Sequence, residues 1–246
     1  MKKSLALLAV LGCFSQSSFA ATTFTMSGLA GASMQTNFRA LSEDFGAAFS
    51  YKPVTPAAAL GLTGFDIGIE VSGTDVSKSA AAWKAITGET ALDTLPVARL
   101  HVAKGLPFGI DVAASMSSVP STNIKLIGAE LRYAILGGGI ALPAIAVRAA
   151  MSTMSGVNEL DFNTKSLDLS ISKGFLMFTP YAGVGQVWVN STPNLTVNPN
   201  SLTAQSFTLT KTFIGANLNF GLMNFALEGD KTGDASSASF KFGFRW

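Results

Sequence analysis

Twelve charged residues recur in this chain at positions that alternate with apolar ones. Asp66 and Glu70 sit between Phe65, Ile67, Ile69 and Val71, and Arg99 between Ala98 and Leu100. The same pattern surrounds Asp111, Glu130, Arg132, Arg148, Asp168, Lys211, Glu228, Lys241 and Arg245. Six acids and six bases placed in this way can pair and fill a confined interior. Other chemistry has few carriers. The single histidine, His101, stands three residues before the tight turn at Lys104-Gly105. The single cysteine, Cys13, lies in the first twenty residues. One His without Cys supports no His/Cys metal cluster, so neither a metal nor a cofactor is expected. The Gly137-Gly138-Gly139 triplet reads as a turn, not a phosphate-cradling loop. Asn190-Ser191-Thr192 and Asn194-Leu195-Thr196 match the glycosylation sequon and mark an exposed loop. Four apolar residues share the parity of the charges and form a candidate ligand-binding set: Phe162, Phe207, Leu209 and Phe213.

Period-two alternation requires strands. Ten are expected, near residues 60–73, 95–104, 107–117, 123–136, 140–152, 159–173, 175–189, 204–220, 222–229 and 236–246. Only 13% of the 246 residues are charged, against about 25% in a typical soluble domain. The longest apolar run, Ala134 to Val147, is broken by three glycines and a proline. It is also shorter than the roughly 20 residues a spanning helix needs. The first twenty residues read as a cleaved signal peptide: Lys2 and Lys3, the apolar Leu5 to Phe14, then Ser18-Phe19-Ala20. A lipoprotein signal ending at Cys13 is the competing reading. Cleavage after Ala20 leaves no cysteine and reduces Lys plus Arg from 17 to 15, equal to the 15 acids. No basic excess then points to nucleic acid. An exported, apolar chain without a membrane helix points to a closed barrel, since a bilayer accepts only structures whose backbone is fully bonded.

The connections favour the same architecture. Tight ones at Gly105, Gly137–Gly139, Gly174 and Gly221 alternate with looser ones at 74–94, 118–122, 153–158, 190–203 and 230–235. Barrels of the bacterial outer membrane have short turns at one end and longer loops at the other. The final strand sets Phe240, Phe242, Phe244 and Trp246 on one face, and this resembles the assembly signal of Gram-negative outer-membrane barrel proteins. The resemblance implies an all-β, up-and-down antiparallel transmembrane barrel over 60–246, preceded by a signal peptide over 1–20 and an N-terminal segment over 21–59. It also implies insertion by the barrel-assembly machinery, outer-membrane lipid and lipopolysaccharide as neighbours, and both termini in the periplasm.

Two further elements are expected. In 37–50, Phe38, Leu41, Phe45 and Phe49 share one helical face behind a cap at Asn37. This amphipathic helix either plugs the lumen or lies on the periplasmic rim. A second short helix around Trp83 forms a candidate lid. The apolar residues of lumen parity, Phe162 and Leu160 in the sixth strand and Phe207, Leu209 and Phe213 in the eighth, have two readings. They line an apolar upper lumen, or a β-bulge in each strand reverses the faces. The plug helix and apolar lumen are similar to features of the long-chain fatty-acid transporter family, although the Asn-Pro-Ala signature of that family is absent. Omptin-type proteases and outer-membrane phospholipases place a histidine at the outer rim or on the lipid face, and His101 fits neither, so no enzyme is expected. Two functions follow: a largely closed, charge-paired barrel with a structural or surface role, or a plugged barrel that binds or passes a small apolar molecule.

Overall fold

Alternating apolar and polar residues favour extended strands with two unlike faces. The computed structural model, which describes residues 26, 29, 33–88, 92–194 and 202–246, contains ten of them. They are β1 (Phe65–Asp75), β2 (Thr94–Gly105), β3 (Ile110–Ser118), β4 (Lys125–Gly137), β5 (Ala144–Ser155), β6 (Leu160–Ser172), β7 (Phe178–Pro193), β8 (Gln205–Phe220), β9 (Met223–Thr232) and β10 (Ala235–Arg245). Each pairs antiparallel with its neighbours, and β10 pairs with β1 to close the ring. At the seam Phe65 and Trp246 exchange backbone hydrogen bonds of 3.0 and 3.1 Å, and their rings stack at 5.1 Å. Closure leaves no unpaired edge, which is the condition for a sheet to sit in hydrocarbon. Ile69, Leu100, Met116, Ile127, Leu131, Leu169, Ile214 and Phe244 face outward and are exposed, while the alternate residues are buried inside. The chain is therefore a transmembrane barrel of the outer-membrane type.

Several expected details shift. Residues 60–64 precede β1 rather than belong to it. Phe108 lies in the one-turn helix Pro107–Gly109 at φ 64°, so it caps the β2–β3 turn and does not stand on the lipid face of β3. β9 runs on to Thr232, which brings Asp230 into the wall. The two ends of the barrel differ less regularly than the turn residues suggest. The connections 76–93 and 194–204 are long, but 119–124, 156–159 and 233–234 at the same end are no longer than the opposite turn at 138–143. Pairing along β6 and β8 is continuous, with no bulge that reverses the faces. The one register shift lies between Ala134 and Leu136 in β4.

The helix α1 (Met34–Phe49) lies inside the ring, with Asn37 in its first turn rather than at its cap. Its N-terminal end is at the long-loop mouth: Gln35 donates to the carbonyl of Thr203, and Met26 N–H donates to the carboxylate of Glu159. From Ser50 the chain continues as an extended strap down the lumen. Ala57 N–H donates to Ser172 Oγ at 3.1 Å, and Leu60 N–H to Asp111 at 3.1 Å, both at the short-turn end. The described chain thus enters at one mouth and leaves at the other. Trp246 lies at the short-turn end, and Met26 and Leu29 lie at the opposite one. The apolar wall that α1 needs is in the long-loop half, and this fixes its direction. Residues 1–20, expected to be a signal peptide, lie outside the described residues. The short helix around Trp83, α2 (Ala80–Thr87), forms in the β1–β2 loop after one turn of tighter helix at Ser77–Ser79.

Candidate functional site

The interior has an apolar half and a charged half, and the N-terminal segment matches both. In the long-loop half Phe45 stacks on Phe49 at 5.0 Å, and both meet Phe162 edge-on, at 5.8 and 6.0 Å. Phe38, Leu41, Val187, Val189 and Leu209 complete the same buried cluster. Gly46 explains how closely the helix approaches the wall. A Cβ there would meet Val189 at 2.7 Å and Leu209 at 3.0 Å. A mid-helix glycine sacrifices roughly 1 kcal/mol of helix propensity relative to alanine, which this packing offsets. Phe207 is half-buried, with the guanidinium of Arg39 3.7 Å above its ring. Phe213 is buried lower down, lying across Gly183 with Lys211 Nζ 5.3 Å from its ring. Phe162, Phe207, Leu209 and Phe213 therefore all face the lumen. The first three are covered by α1, and none lines an empty apolar cleft among the described residues.

All twelve charged residues singled out by parity face the lumen as well. Arg99 pairs with Glu70 at 2.6 Å, Arg132 with Asp111 at 2.6 Å, and Lys241 with Asp66 at 2.8 Å. Arg148 lies between Glu130 at 3.4 Å and Asp168 at 3.7 Å, and Lys211 is 3.6 Å from Asp168. Arg245 is 3.7 Å from Asp66. Glu228 has no ion-pair partner within reach among the described residues. Sequence patterning missed a thirteenth and a fourteenth member. Lys52 on the strap pairs with Asp230 of β9 at 2.6 Å, and both side chains are fully buried.

The charges do more than neutralise each other. Residues 50–60 have no regular secondary structure, and backbone carbonyls buried in that state need donors. Arg99 Nη1 donates to the carbonyl of Lys52 at 2.7 Å, Arg132 Nη1 to that of Pro56 at 2.7 Å, and Lys211 Nζ to that of Tyr51 at 3.1 Å. The wall bases are thus the hydrogen-bond partners of the strap. A sequence signal for this existed in the combination of Lys52 with Pro53 and Pro56, which cannot be helical or donate fully to a ladder. His101 is buried near Tyr51, ring to ring at 6.3 Å, and neither of its nitrogens has a hydrogen-bond partner among the described residues. Among those residues no three His, Cys, Asp or Glu side chains form a metal-binding group.

The lid helix is joined to the plug. Trp83, fully buried, donates its indole N–H to Asp44 Oδ2 at 2.7 Å and meets Phe45 edge-on at 5.5 Å. Burial pushes the Asp44 carboxyl up from 3.8 to about 6, opposed by the Trp83 bond and reinforced by the neighbouring charges of Glu43 and Asp75. A carboxyl whose folded value exceeds its unfolded one binds more protons in the folded state between those two values. Stability contributed by this group is therefore full below about pH 4 and declines as pH rises towards about 6. The unfolding midpoint of the plug, followed by Trp83 fluorescence, is expected to fall across that window, and Asp44→Asn to flatten the profile. An unchanged slope in the variant would show that Asp44 is not its source.

No protein-family model matches the chain, and no curated protein sequence does. Among solved structures, it is similar to the KdgM porin at 7% identity and a TM-score of 0.41, over 74% of this chain and 99% of that one. The N-terminal β-barrel domain of Pseudomonas aeruginosa OprF aligns at 15% identity and 0.36, over 76% and 99%. The attachment invasion locus protein Ail of Yersinia pestis aligns at 11% and 0.33, over 74% and 97%. The barrel assignment stands on the chain's own closed ladder and outward apolar band.

Proposed function

We propose that this protein is a Gram-negative outer-membrane barrel sealed by its own N-terminal segment, with a structural or surface-interaction role rather than a pore-forming or catalytic one. One observation carries the reading: α1 seats its aromatic face on Phe162, Val189 and Leu209, while the strap below it is bonded to the wall bases. The long loops 76–93 and 194–204 face outward in this reading and meet lipopolysaccharide or another surface. The short turns and Trp246 face the periplasm, and Met26 and Leu29 lie at the cell-surface mouth. The aromatic ladder Phe240, Phe242, Phe244 and Trp246 serves recognition by the barrel-assembly machinery. A fatty-acid-like molecule would have to displace α1 to reach Phe162 and Leu209, so binding or passage of an apolar ligand is the weaker reading. His101 lies deep in the interior beside Tyr51, a poor position for a hydrolytic group.

Planar-bilayer conductance tests the seal. The native protein is expected to show no stable ion-conducting steps. Phe45→Asp with Phe49→Asp, which places two charges against the apolar wall, is expected to release the helix and open steps of uniform size. Steady conductance by the native protein would refute the sealed lumen.

A further inference from the structure

The short-turn end carries a feature that neither the sealed lumen nor the long loops use. Its turns each present a large apolar side chain at the tip: Phe108, Ile140, Leu176 and Leu222. Ile140 and Leu176 are fully exposed, and Phe108 is 90% exposed. Phe108 at φ 64° and Leu176 at φ 54° also hold a left-handed backbone that favours glycine. A turn that stands in water gains nothing from a bulky apolar residue in that conformation, where Gly or Asn is both relaxed and soluble. No residue of 105–109, 138–143, 173–177 or 221–222 is an acid, and Lys173 is the only base among them.

The polar groups of these turns bond to one another. Lys173 Nζ donates to the carbonyls of Gly139, Ile140 and Leu142 at 2.9, 2.6 and 3.2 Å, which uses all three of its protons. It thereby ties the β6–β7 turn to the β4–β5 turn. Lys104 Nζ donates to the carbonyls of Leu62 and Gly64 at the rim. Phe175 and Phe178 exchange backbone bonds of 2.7 and 3.0 Å, and Gly139 N–H donates to the carbonyl of Leu142 at 3.0 Å. Water satisfies turn carbonyls without such help. Hydrocarbon does not, and there each group needs a partner within the protein.

The height of the wall supplies a reason. On β6–β9 the outward side chains are apolar from the strand ends at Ser172, Phe178, Phe220 and Met223 only as far as Lys165, Gln186, Thr212 and Lys231. That is seven or eight residues on each strand. At ~3.3 Å per residue and a tilt of about 40°, the apolar wall is about 20 Å high there. The apolar band of an outer-membrane barrel is about 25 Å tall. The turn tips lie where the missing height would be.

We infer that the short-turn end is itself a membrane-contact surface. It stops inside the phospholipid leaflet on the periplasmic side, with Phe108, Ile140, Leu176 and Leu222 among lipid and not in water. Continuity selects lipid as the occupant: Leu222 joins Phe220 and Met223 of the outer wall with only Gly221 between them. A face that docks a soluble protein carries a polar rim. Among the described residues the charged side chains at these turns are the two lysines, and both are bonded to the protein's own backbone. The inference rests on the transmembrane seat of the barrel and not on the sealed lumen.

The test is fluorescence quenching on the full chain folded into phospholipid vesicles. In a Cys13→Ser background, Leu176→Cys and Leu222→Cys each receive a nitrobenzoxadiazole label, and Asp234→Cys in the β9–β10 connection is the control at the opposite end. The first two labels are expected to lose most of their emission to a nitroxide carried on the lipid chain and little to aqueous iodide, and the control to do the reverse. Iodide quenching at Leu176→Cys and Leu222→Cys equal to that of the control would overturn the inference. So would quenching by neither agent, because another protein surface, a second copy included, would then cover the tips. Leu176→Asp with Leu222→Asp gives a second measure. Its folded yield is expected to fall about tenfold in dimyristoyl phosphatidylcholine and to be unchanged in the thinner didecanoyl lipid, whose bilayer the shortened band still spans. An equal yield in the two lipids, high or low, would overturn the inference. Conductance of the native protein keeps the two proposals apart: a leak refutes the sealed lumen and leaves the quenching result standing.

Discussion

A Lys52→Met protein is expected to be less stable than the native one by about 3–5 kcal/mol, the range for removing one partner of a buried ion pair. The change leaves Asp230 charged and enclosed, with only the hydroxyl of Thr232 at 2.9 Å as a remaining donor. Ser237 Oγ, which accepts from Lys52 Nζ at 3.0 Å, loses a partner too. Asp230→Asn alone should be damaging for the same reason, since it leaves the ammonium without its counter-charge. The double variant Lys52→Met with Asp230→Leu should recover much of the loss, because two apolar groups of similar size need no partners. Denaturant titration in detergent micelles, read as a double-mutant cycle, measures the coupling. Additive single effects would show that the pair does not anchor the strap.

Phe162→Ala is expected to produce a loss of similar size, about 3–5 kcal/mol, by a different route. The ring is buried and is the only wall aromatic among the described residues that touches both Phe45 and Phe49. Its removal leaves a cavity between a rigid ladder strand and a helix, and neither can collapse to fill it. Phe162→Leu keeps most of the volume and should lose less than half as much. Micelle unfolding of the three proteins checks the order. An alanine variant as stable as the native protein would mean that α1 does not depend on the wall aromatics.

Much of the barrel was legible from its alternation, because one face of every strand meets lipid and the other does not. Leu167, Leu169 and Ile171 against Asp168 leave no freedom of register, and the same holds for the aromatic ladder from Phe240 to Trp246. The continuity of β6 and β8 was not legible. Phe162 and Leu209 on the lumen side violate the polar-inside rule, and that violation makes sense only once α1 is known to cover them. The strap was missed for a related reason. Lys52 lies in a segment with no periodicity, and its partner Asp230 sits in a stretch that reads as a turn through Gly229 and Gly233. Pro53 and Pro56 mark the backbone there as irregular, but nothing local names the distant strand with which it pairs. The direction of α1 was likewise invisible, since an amphipathic helix packs equally well in sequence terms whichever mouth it enters from.

The path of the chain through the ring constrains how the molecule can be made. A polypeptide that passes in at one opening and out at the other is threaded like a cord through a bead. Backbone bonding at Phe65 and Trp246 completes the bead only a few residues after the cord leaves it. Either the cord is already in place when the first and last strands meet, or its free end must afterwards be drawn through a finished ring past Arg99, Arg132 and Arg148. The first order needs no such passage. On that account the N-terminal segment acts as a mandrel around which the wall is wound.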